Sequence, residues 1–252
     1  MTPSTEKKAK VHHGCTSAVL TFAATLIYRV LDARRANTTV LLPGGRSIVG
    51  FLQAMVDLAE DQERKKLLPF LQLFEVDAFQ STPERQTTNL DVLERCLMAP
   101  ALKEGLLRRE QLHPFLFTDN RQHDLERYAK ELRAYGEAPH VIVLACGGGE
   151  ISEGVEDPGH VAGLFPNFPE VWNSPEPFAC YSGCPKPPSE RVTATPRLIR
   201  SAELVIGLLL GNERLNAWHN YRSDRQVCEV PLKLLDEAQR AYLCTDVLMS
   251  SD

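Results

Sequence analysis

A histidine flanked by glycine is the strongest candidate for chemistry in this sequence. His160 directly follows Asp157-Pro158-Gly159, and residues 147–149, slightly earlier in the chain, are three consecutive glycines. An imidazole titrates close to neutral pH, so a histidine in such a loop is suited to act as a general base. We therefore predict that His160 is catalytic and that Gly159 is among the residues that contact the substrate.

Asp77 is a second candidate, because it directly follows the apolar stretch 70–76. A carboxylate at the end of a buried strand either takes part in proton transfer or belongs to the turn before the next helix. The residue alone leaves both roles open. Thr87 or Thr88 would cap the helix that follows. We predict that Asp77 is the second catalytic residue.

The turn Gly44-Gly45-Arg46-Ser47 is a candidate anion site, because it lies between a predicted strand and a predicted helix. Free N–H groups at a helix start point toward an anion, and glycines let it approach the backbone closely. Arg46 and the Ser47 hydroxyl would add a charge and a donor. The turn has neither the Gly-Lys-Ser/Thr of a Walker A loop nor a dinucleotide GxGxxG, and a plain tight turn is the alternative.

Two further arginines, Arg191 and Arg214, are candidate phosphate ligands. Arg191 opens a predicted strand, and Arg214 begins a helix after the turn formed by Gly211 and Asn212. A guanidinium can bind phosphate through two parallel N–H donors, so either residue suits a phosphorylated substrate. A surface ion pair is the alternative role for each.

Composition excludes several classes of function. The formal charge is −5, so the basic footprint of a nucleic-acid binder is missing and an anionic substrate would need a local cationic pocket. The seven cysteines are an odd number, and no second pair completes a zinc site with Cys180 and Cys184. We predict no metal and no disulfide framework, as expected for a cytoplasmic protein.

The first apolar stretch, 18–28, follows Lys7, Lys8 and Lys10 and has the outline of a signal peptide. Two threonines interrupt it, no cleavage site follows, and its apolar residues fall at helical spacing. We therefore predict an amphipathic first helix. No run reaches the roughly 20 apolar residues of a membrane span, so we expect no membrane association.

Strands and helices alternate along the chain. The predicted helices are 18–28, 48–59, 88–98, 121–135 and one from about 213. The predicted strands are 38–42, 70–76, 115–117, 140–146, 178–181, 191–195, 204–210 and 241–244. Continuous apolar strands alternating with helices predict an α/β fold, with a Rossmann-like, mostly parallel sheet covered by helices on both faces. Ligands of such folds bind at the carboxyl ends of the strands, so the residues after Leu42, Val76 and Cys146 should meet.

The chain of 252 residues is long enough for one large domain or for two smaller ones. Nine of the 17 prolines lie between Pro158 and Pro196, which would suit either a linker or a loop-rich elaboration. This stretch also contains two of the predicted strands. We therefore favour a single α/β domain over residues 1–252, with the proline-rich part inside it.

Four blocks in order resemble the 6-phosphogluconolactonase family, a relative of glucosamine-6-phosphate deaminase. The blocks are 42–47, Val76-Asp77 with Asn89 downstream, 143–166, and 187–196 with 211–214. The resemblance implies a NagB/RpiA/CoA-transferase-like fold and hydrolysis of 6-phospho-D-glucono-1,5-lactone to 6-phosphogluconate in the pentose phosphate pathway. It implies a cytoplasmic enzyme that uses no metal or organic cofactor and binds a small sugar phosphate. It also implies a monomer or weak homodimer, with His160 as the general base.

The sequence departs from the family pattern near both catalytic candidates. Ala78 and Phe79 stand where the family has a glutamate and a phosphate-binding arginine, and Arg46 or Arg85 is a candidate replacement for that cation. Pro158 stands where an aspartate usually precedes Gly-His, with Asp157 displaced by one. The preceding loop is also longer and contains three glutamates, Glu150, Glu153 and Glu156. Two alternatives therefore stay open: a non-catalytic homologue that binds a sugar phosphate or a protein, and a deaminase or isomerase of glucosamine 6-phosphate.

Overall fold

A seven-stranded parallel sheet forms the centre of the molecule. The computed structural model describes residues 8–152 and 154–248, so Lys7 and Glu153 lie outside the described residues. The described strands are β1 Lys10–His13, β2 Thr38–Leu42, β3 Leu71–Glu75, β4 Asp77–Ala78, β5 Leu112–His113, β6 Val141–Ala145, β7 Glu150–Ser152, β8 Val155–Glu156, β9 Phe178–Tyr181, β10 Arg191–Ala194, β11 Leu204–Leu209 and β12 Ala241–Thr245. The predicted α/β class and mostly parallel sheet are confirmed.

Helices connect the strands and cover the sheet. They are α1 Thr16–Arg34, α2 Val49–Leu58, α3 Gln62–Lys65, α4 Asn89–Leu93, α5 Ala99–Lys103, α6 Arg121–Arg133, α7 Pro169–Trp172, α8 Pro196–Ser201, α9 Leu215–Arg222 and α10 Leu234–Glu237. Short 3₁₀ turns occur at Arg46–Ile48, Leu68–Phe70, Arg109–Gln111, Asn212–Arg214 and Pro231–Lys233, and a π turn, Glu94–Met98, joins α4 to α5. Thr88 caps α4 as predicted, because its hydroxyl accepts from the Asp91 N–H at 3.1 Å.

The strand order creates a switch point at the middle of the sheet. The order is β1-β12-β11-β6-β2-β3-β5, with every neighbouring pair parallel. The chain adds strands to one side of β2 first and to the other side from β6 onward. Loops after β2 and β6 therefore diverge and leave a crevice at their carboxyl ends, where ligands of such sheets bind.

Alternate side chains of the central strands enter two separate apolar cores. Val40 and Leu42 pack with α1 and α2 on one face, whereas Leu41 packs with α6, α8 and α10 on the other. Side chains of a strand point to opposite faces in turn, so a strand buried on both faces must be apolar throughout. This explains the continuous apolar runs of the sequence.

A small antiparallel sheet, β4-β10-β9, lies at the carboxyl end of β3. In its register Thr193 pairs with Asp77 and Val192 with Ala78, which brings Arg191 close to the end of β3. The predicted strands at 178–181 and 191–195 are therefore present. Phe165, Phe178 and other side chains of the proline-rich stretch pack into the same core as the central sheet.

The predicted strand at 115–117 is wrong. The strand is Leu112–His113, which pairs with Leu73 and Phe74 of β3. The Phe115 N–H leaves the ladder and donates instead to the Glu75 carboxylate at 2.9 Å. Phe115 and Phe117 pack edge to face, 4.8 Å between ring centroids, so their alternation reflects ring packing rather than a strand.

Helix α1 is the one element, among the described residues, that is long and apolar enough to pass as a membrane span. Half of its most apolar window is buried inside the fold, where Val19, Ala23 and Ile27 are fully buried. The predicted helix is thus present and longer at both ends, and one of its faces packs into a core.

Candidate functional site

A cleft of about 260 Å³ opens at the carboxyl ends of the central strands. The loops after β2, β3 and β6 meet there, as the strand order requires, together with the start of β10 and the turn after β11. Of the predicted site residues, the ones that line this cleft are Gly44, Gly45, Arg46, Ser47, Asp77, His160, Arg191 and Arg214. Residues from five distant segments of the chain are therefore collected around one space.

Gly159 has a different position from the other predicted residues. It is buried with φ +115°, and a Cβ added to it would contact Leu232, Ala217 and Val230 at 3.4–3.6 Å. Its N–H donates to Asp157 Oδ1 at 3.1 Å. Gly159 thus shapes the turn that presents His160 and faces the apolar interior.

His160 and Asp157 form a hydrogen-bonded pair at the wall of the cleft. Nδ1 of His160 bonds to Oδ2 of Asp157, and the His160 backbone N–H donates to Oδ1 at 2.9 Å. The ring also stacks on Phe165, 4.2 Å between centroids. Among the described residues Nε2 has no hydrogen-bond partner, so with Nδ1–H donating to the carboxylate it is free to accept a proton.

The charges around this pair favour a neutral imidazole beside an ionised carboxylate. Burial lowers the pKa of His160 below its usual value, although the hydrogen bond to Asp157 opposes the shift. Burial also disfavours the charged form of Asp157, but the hydrogen bonds donated by the ring and the backbone of His160 and the charge of Lys186 outweigh it. The pKa of Asp157 is therefore held well below its usual range. A base in this state is ready to take a proton near neutral pH.

Gly147 makes room for the pair. A Cβ added at this position would lie 1.9 Å from Nδ1 of His160 and 2.6 Å from Oδ2 of Asp157. The Gly147 N–H also donates to the His160 carbonyl at 2.7 Å. The glycine triplet after β6 is thus required by close packing, since any side chain there would separate the base from its carboxylate.

Asp77 is buried at the floor of the cleft and is held by Asn89. The Asn89 amide donates to the Asp77 carboxylate at 2.8 Å and to its backbone carbonyl at 3.0 Å. Burial raises the pKa of Asp77, while the charge of Arg191, 3.7 Å away, and the Asn89 bond pull it down. Burial outweighs these effects, so the pKa of Asp77 is raised above its usual value, and Asp77 lines the same cleft as His160.

The turn after β2 presents unpaired donors to the cleft. Within the described part of the chain, the backbone N–H groups of Gly44 and Gly45 donate to no other residue. Gly45 has φ +97°, and a Cβ on Gly44 would lie 2.2 Å from Cα of Asn89. The two glycines let the turn pack against the start of α4 and leave unpaired N–H groups beside the cleft, as in anion-binding turns.

Five cationic residues line the cleft; Lys186 was not predicted, and Arg85 was named only as a candidate replacement for the cation that position 79 lacks. The five are Arg46, Arg85, Lys186, Arg191 and Arg214. Lys186 donates to Asp157 at 2.7 Å. Its signal in the sequence was its position just before the Pro187-Pro188 block, whereas Arg85 is marked only by being a cation in the polar segment after Asp77.

Arg214 is largely occupied by the protein itself. Its Nε donates to the Cys146 carbonyl at 3.0 Å, and Nη1 contacts the Leu210 carbonyl and the Glu213 carboxylate. A Cβ added on Gly148 would lie 2.8 Å from its Cα. Arg214 therefore ties the ends of β6 and β11 together, with its charge at the rim of the cleft.

The longer loop before His160 folds into a separate hairpin of β7 and β8. Its base is closed by the Asp157 N–H, which donates to the Gly149 carbonyl at 2.7 Å. Asn216 fastens both ends, accepting from the Gly149 N–H at 2.9 Å and donating to the Asp157 carbonyl at 3.1 Å. Glu150 and Glu156 pair across the hairpin and do not line the cleft, and Glu153 is not among the described residues.

No metal cluster accompanies these groups. Within residues 8–152 and 154–248, no set of three or more His, Cys, Asp or Glu side chains is arranged to hold a metal ion. The chemistry available in the cleft is therefore that of a neutral imidazole, a buried carboxylate, free backbone N–H groups and a surplus of positive charge. Such a set can activate water and hold a negatively charged substrate.

Comparison with known proteins gives a consistent result. The family model described as glucosamine-6-phosphate isomerases/6-phosphogluconolactonase matches residues 13–244. A 6-phosphogluconolactonase of Borreliella burgdorferi is 24% identical over 212 residues, covering 83% of this chain and 84% of the relative. One of Streptomyces coelicolor is 30% identical over 204 residues, covering 77% and 75%. The crystal structure of 6-phosphogluconolactonase from Thermotoga maritima superposes with a TM-score of 0.75 at 17% identity, over 96% of this chain and 100% of that one.

Proposed function

The chain belongs to the glucosamine-6-phosphate isomerase/6-phosphogluconolactonase family, and we propose that it hydrolyses 6-phospho-D-glucono-1,5-lactone to 6-phosphogluconate. The observation that carries the proposal is the His160–Asp157 pair: Nε2 of His160 has no partner among the described residues, and His160 lines a cleft rich in positive charge. The enzyme would be a carboxylic-ester hydrolase of carbohydrate metabolism. It needs no cofactor for this reaction, because water and a base are sufficient.

In the proposed reaction His160 acts first as a base and then as an acid. Nε2 removes a proton from water while the oxygen attacks the lactone carbonyl, and Asp157 stabilises the imidazolium that forms. Backbone N–H groups of the glycine turns stabilise the negative oxygen of the tetrahedral intermediate. When the ring C–O bond breaks, the imidazolium returns the proton to the departing oxygen, which becomes the hydroxyl of 6-phosphogluconate.

Asp157 holds the His160 ring, the role that the family pattern would give to an aspartate at position 158. Pro158 occupies that later position, yet the turn through Gly159 brings the Asp157 carboxylate onto Nδ1 of His160. The substitution therefore removes no interaction from the base. This observation favours an active hydrolase over the non-catalytic homologue.

The deaminase alternative receives less support. Proton shuttling between carbons of an amino sugar uses additional carboxylates, and Asp77 is the only carboxylate among the residues that line the described cleft. The neighbouring residue is Ala78, which cannot carry a proton. The relatives from Borreliella burgdorferi and Streptomyces coelicolor are both named as lactonases.

The proposal has several further parts. The substrate is a small sugar phosphate, and Gly44, Gly45, Arg46, Ser47 and the cationic residues of the cleft bind it. A cytoplasmic enzyme, monomeric or weakly dimeric and without nucleic-acid or membrane partners, suits a small anionic substrate. We also infer one domain, because the proline-rich stretch shares the core of the central sheet.

The test is lactone opening by purified protein. The expected result is acceleration well above the spontaneous rate, with His160→Ala lowering kcat by about a hundredfold or more. His123→Ala is the matched control, because His123 is exposed and does not line the cleft. If the unaltered protein and His160→Ala both open the lactone at the spontaneous rate, the proposed activity is wrong. Ammonia released from glucosamine 6-phosphate would identify the deaminase instead.

A further inference from the structure

The positive charge of the cleft is concentrated in three arginines that have few partners. Among the described residues, the guanidinium of Arg46 makes no hydrogen bond or ion pair, and the guanidinium of Arg85 makes one hydrogen bond, to the neutral carbonyl of Pro187 at 3.2 Å. Arg191 approaches Asp77 at 3.7 Å. Three guanidinium groups therefore face one carboxylate, an imbalance that an anion in the cleft would relieve.

Arg85 and Arg191 are held against the same two groups. Their Cζ atoms lie 4.2 and 4.5 Å from the centroid of the buried Phe79 ring. Both also donate to the Pro187 carbonyl, at 3.2 and 3.1 Å. The ring face attracts cations, so Phe79 and Pro187 together fix two like charges side by side.

The backbone carrying Arg85 is fixed as well. Thr82 and Arg85 exchange two backbone hydrogen bonds, each 3.0 Å, which closes a tight turn through Pro83 and Glu84. The Arg85 N–H is also 3.2 Å from the Thr82 hydroxyl. This turn returns the segment after β4 toward the cleft, so the guanidinium is delivered from a defined position.

The surroundings of Arg85 and Arg191 favour the binding of an anion beside them. Burial lowers the pKa of Arg85, and repulsion from Arg191 adds to the shift. Arg191 is only 5% exposed, and its buried Nε has no hydrogen-bond partner among the described residues. A buried, unsatisfied cationic donor is costly, and an anion beside the two arginines would offset that cost.

We propose that Arg85, held on the face of Phe79 beside Arg191, binds the phosphate group of the substrate and determines specificity for the phosphorylated sugar. This inference rests on the proposed function and deepens it. A phosphate monoester carries close to two negative charges and several acceptor oxygens, which suits two adjacent guanidinium groups. Lys186 and Arg214 are less available, because one is paired with Asp157 and the other with backbone carbonyls.

The arrangement also explains the residue that follows Ala78. Position 79, where the family that the sequence resembles has an arginine, carries an aromatic ring here, and Arg85 supplies a charge beside that ring from the neighbouring turn. Phe79 is therefore a positioning residue for two arginines rather than a lost ligand. Replacement of its ring by leucine would keep an apolar side chain but remove the attraction for both guanidinium groups.

The test compares Arg85→Met and Arg85→Lys with the unaltered protein. Inorganic phosphate is the binding probe, titrated by calorimetry, and steady-state kinetics with the phosphorylated lactone separates KM from kcat. Arg95→Met is the matched control, because Arg95 is exposed and does not line the cleft. Circular dichroism and Tm check that each variant is folded.

Arg85→Met is expected to weaken phosphate binding and to raise KM by about tenfold to a hundredfold, with kcat changed by less than about threefold. Arg85→Lys should have a phosphate affinity and a KM between those of the unaltered protein and Arg85→Met, because lysine keeps the charge without the planar group. Phe79→Leu should weaken phosphate binding in the same direction by a smaller factor. Arg95→Met should match the unaltered protein in every measurement.

Four outcomes separate this inference from the proposed function. Phosphate binding by Arg85→Met at the unaltered affinity, or no binding by the unaltered protein, overturns the role of Arg85 whatever the enzyme catalyses. Arg85-dependent phosphate binding in a protein that opens no lactone removes the proposed reaction and keeps the phosphate ligand. Lactone turnover with an unchanged KM in Arg85→Met removes the phosphate ligand and keeps the reaction.

Discussion

The carboxylate of Asp157 binds His160 twice, through Nδ1 of the ring and through the backbone N–H at 2.9 Å. One side chain thus fixes both the orientation of the base and the turn that carries it. Lys186 completes the environment of this carboxylate at 2.7 Å. The buried aspartate keeps its charge because four donors surround it, and that charge would stabilise the imidazolium formed in the proposed proton transfer.

Replacement of Asp157 by asparagine should lower kcat by about a hundredfold or more with a smaller change in KM. The amide cannot stabilise the imidazolium, and the Nδ1–H is no longer held by a charge. Steady-state kinetics on lactone opening provides the measurement. Glu156→Gln is the control, since Glu156 is exposed in the adjacent hairpin. Equal loss in both variants would show that the effect comes from the loop and not from the pair.

The activity should fall on the acid side of the pH profile. Burial lowers the pKa of His160 below the usual value of 6.5 for a histidine, so the neutral, active ring persists to a lower pH than in a free histidine. Protonation then removes the base as pH falls through the lowered pKa. The dependence of kcat/KM on pH between about 4.5 and 7 measures this limb, with spontaneous opening subtracted. A limb above pH 7 would contradict the assignment of His160 as the base.

Gly147→Ala should abolish most activity while the protein stays folded. The added methyl would lie 1.9 Å from Nδ1 of His160, so the ring must leave its position beside Asp157. The expected loss of kcat is about a hundredfold, similar to the loss from removing the carboxylate. Gly14→Ala is the matched control, because its Cβ would make an ordinary contact of 3.7 Å with Val19. Unchanged kcat in Gly147→Ala would show that the pair tolerates displacement.

Glu75→Gln should stabilise the protein at high pH. Burial raises the pKa of Glu75 from 4.5 to about 8, against the hydrogen bond from the Phe115 N–H. The folded state therefore holds a proton that the unfolded state releases, and stability is lost as pH rises from about 4.5 to about 8. Glutamine keeps an acceptor for Phe115 and carries no charge.

Urea denaturation at pH 5 and pH 9 measures this difference. The two proteins should have similar free energies of unfolding at pH 5, and Glu75→Gln should be more stable by a few kcal/mol at pH 9, at about 1.4 kcal/mol per unit of pKa shift. Glu63→Gln, at an exposed helix position, should have the same free energy of unfolding as the unaltered protein at both pH values. Parallel pH profiles for unaltered protein and Glu75→Gln would mean that Glu75 is ionised in the fold.

The central sheet could be predicted from the sequence because each of its central strands must be apolar on both faces. That rule locates the ends of β2, β3 and β6 and hence the loops that meet at the cleft. It fails at 115–117, where ring packing and a side-chain acceptor imitate a strand. Local alternation cannot distinguish these cases, because the acceptor, Glu75, lies 40 residues away along the chain.

The residues of the candidate site were harder to predict from the sequence than the sheet, for a related reason. His160 and Asp77 stand out by their positions after apolar strands, but their partners are set by turns. Asp157 reaches the ring through the geometry of Gly159, and Arg85 reaches the cleft through the turn at Thr82. Spacing alone does not indicate which way such turns return, so the sequence left these roles undecided.

The two ends of the β7–β8 hairpin are held together, so the length of the hairpin does not affect the position of the His160 imidazole. The Asp157 N–H and the Gly149 carbonyl meet at 2.7 Å, and Asn216 fastens both ends, so the segment between them is an excursion from a fixed neck. Insertions, deletions and substitutions between Gly149 and Asp157 could therefore accumulate without moving the carboxylate that holds His160. The same neck gives protein engineers a point at which to graft a new segment beside an intact active site.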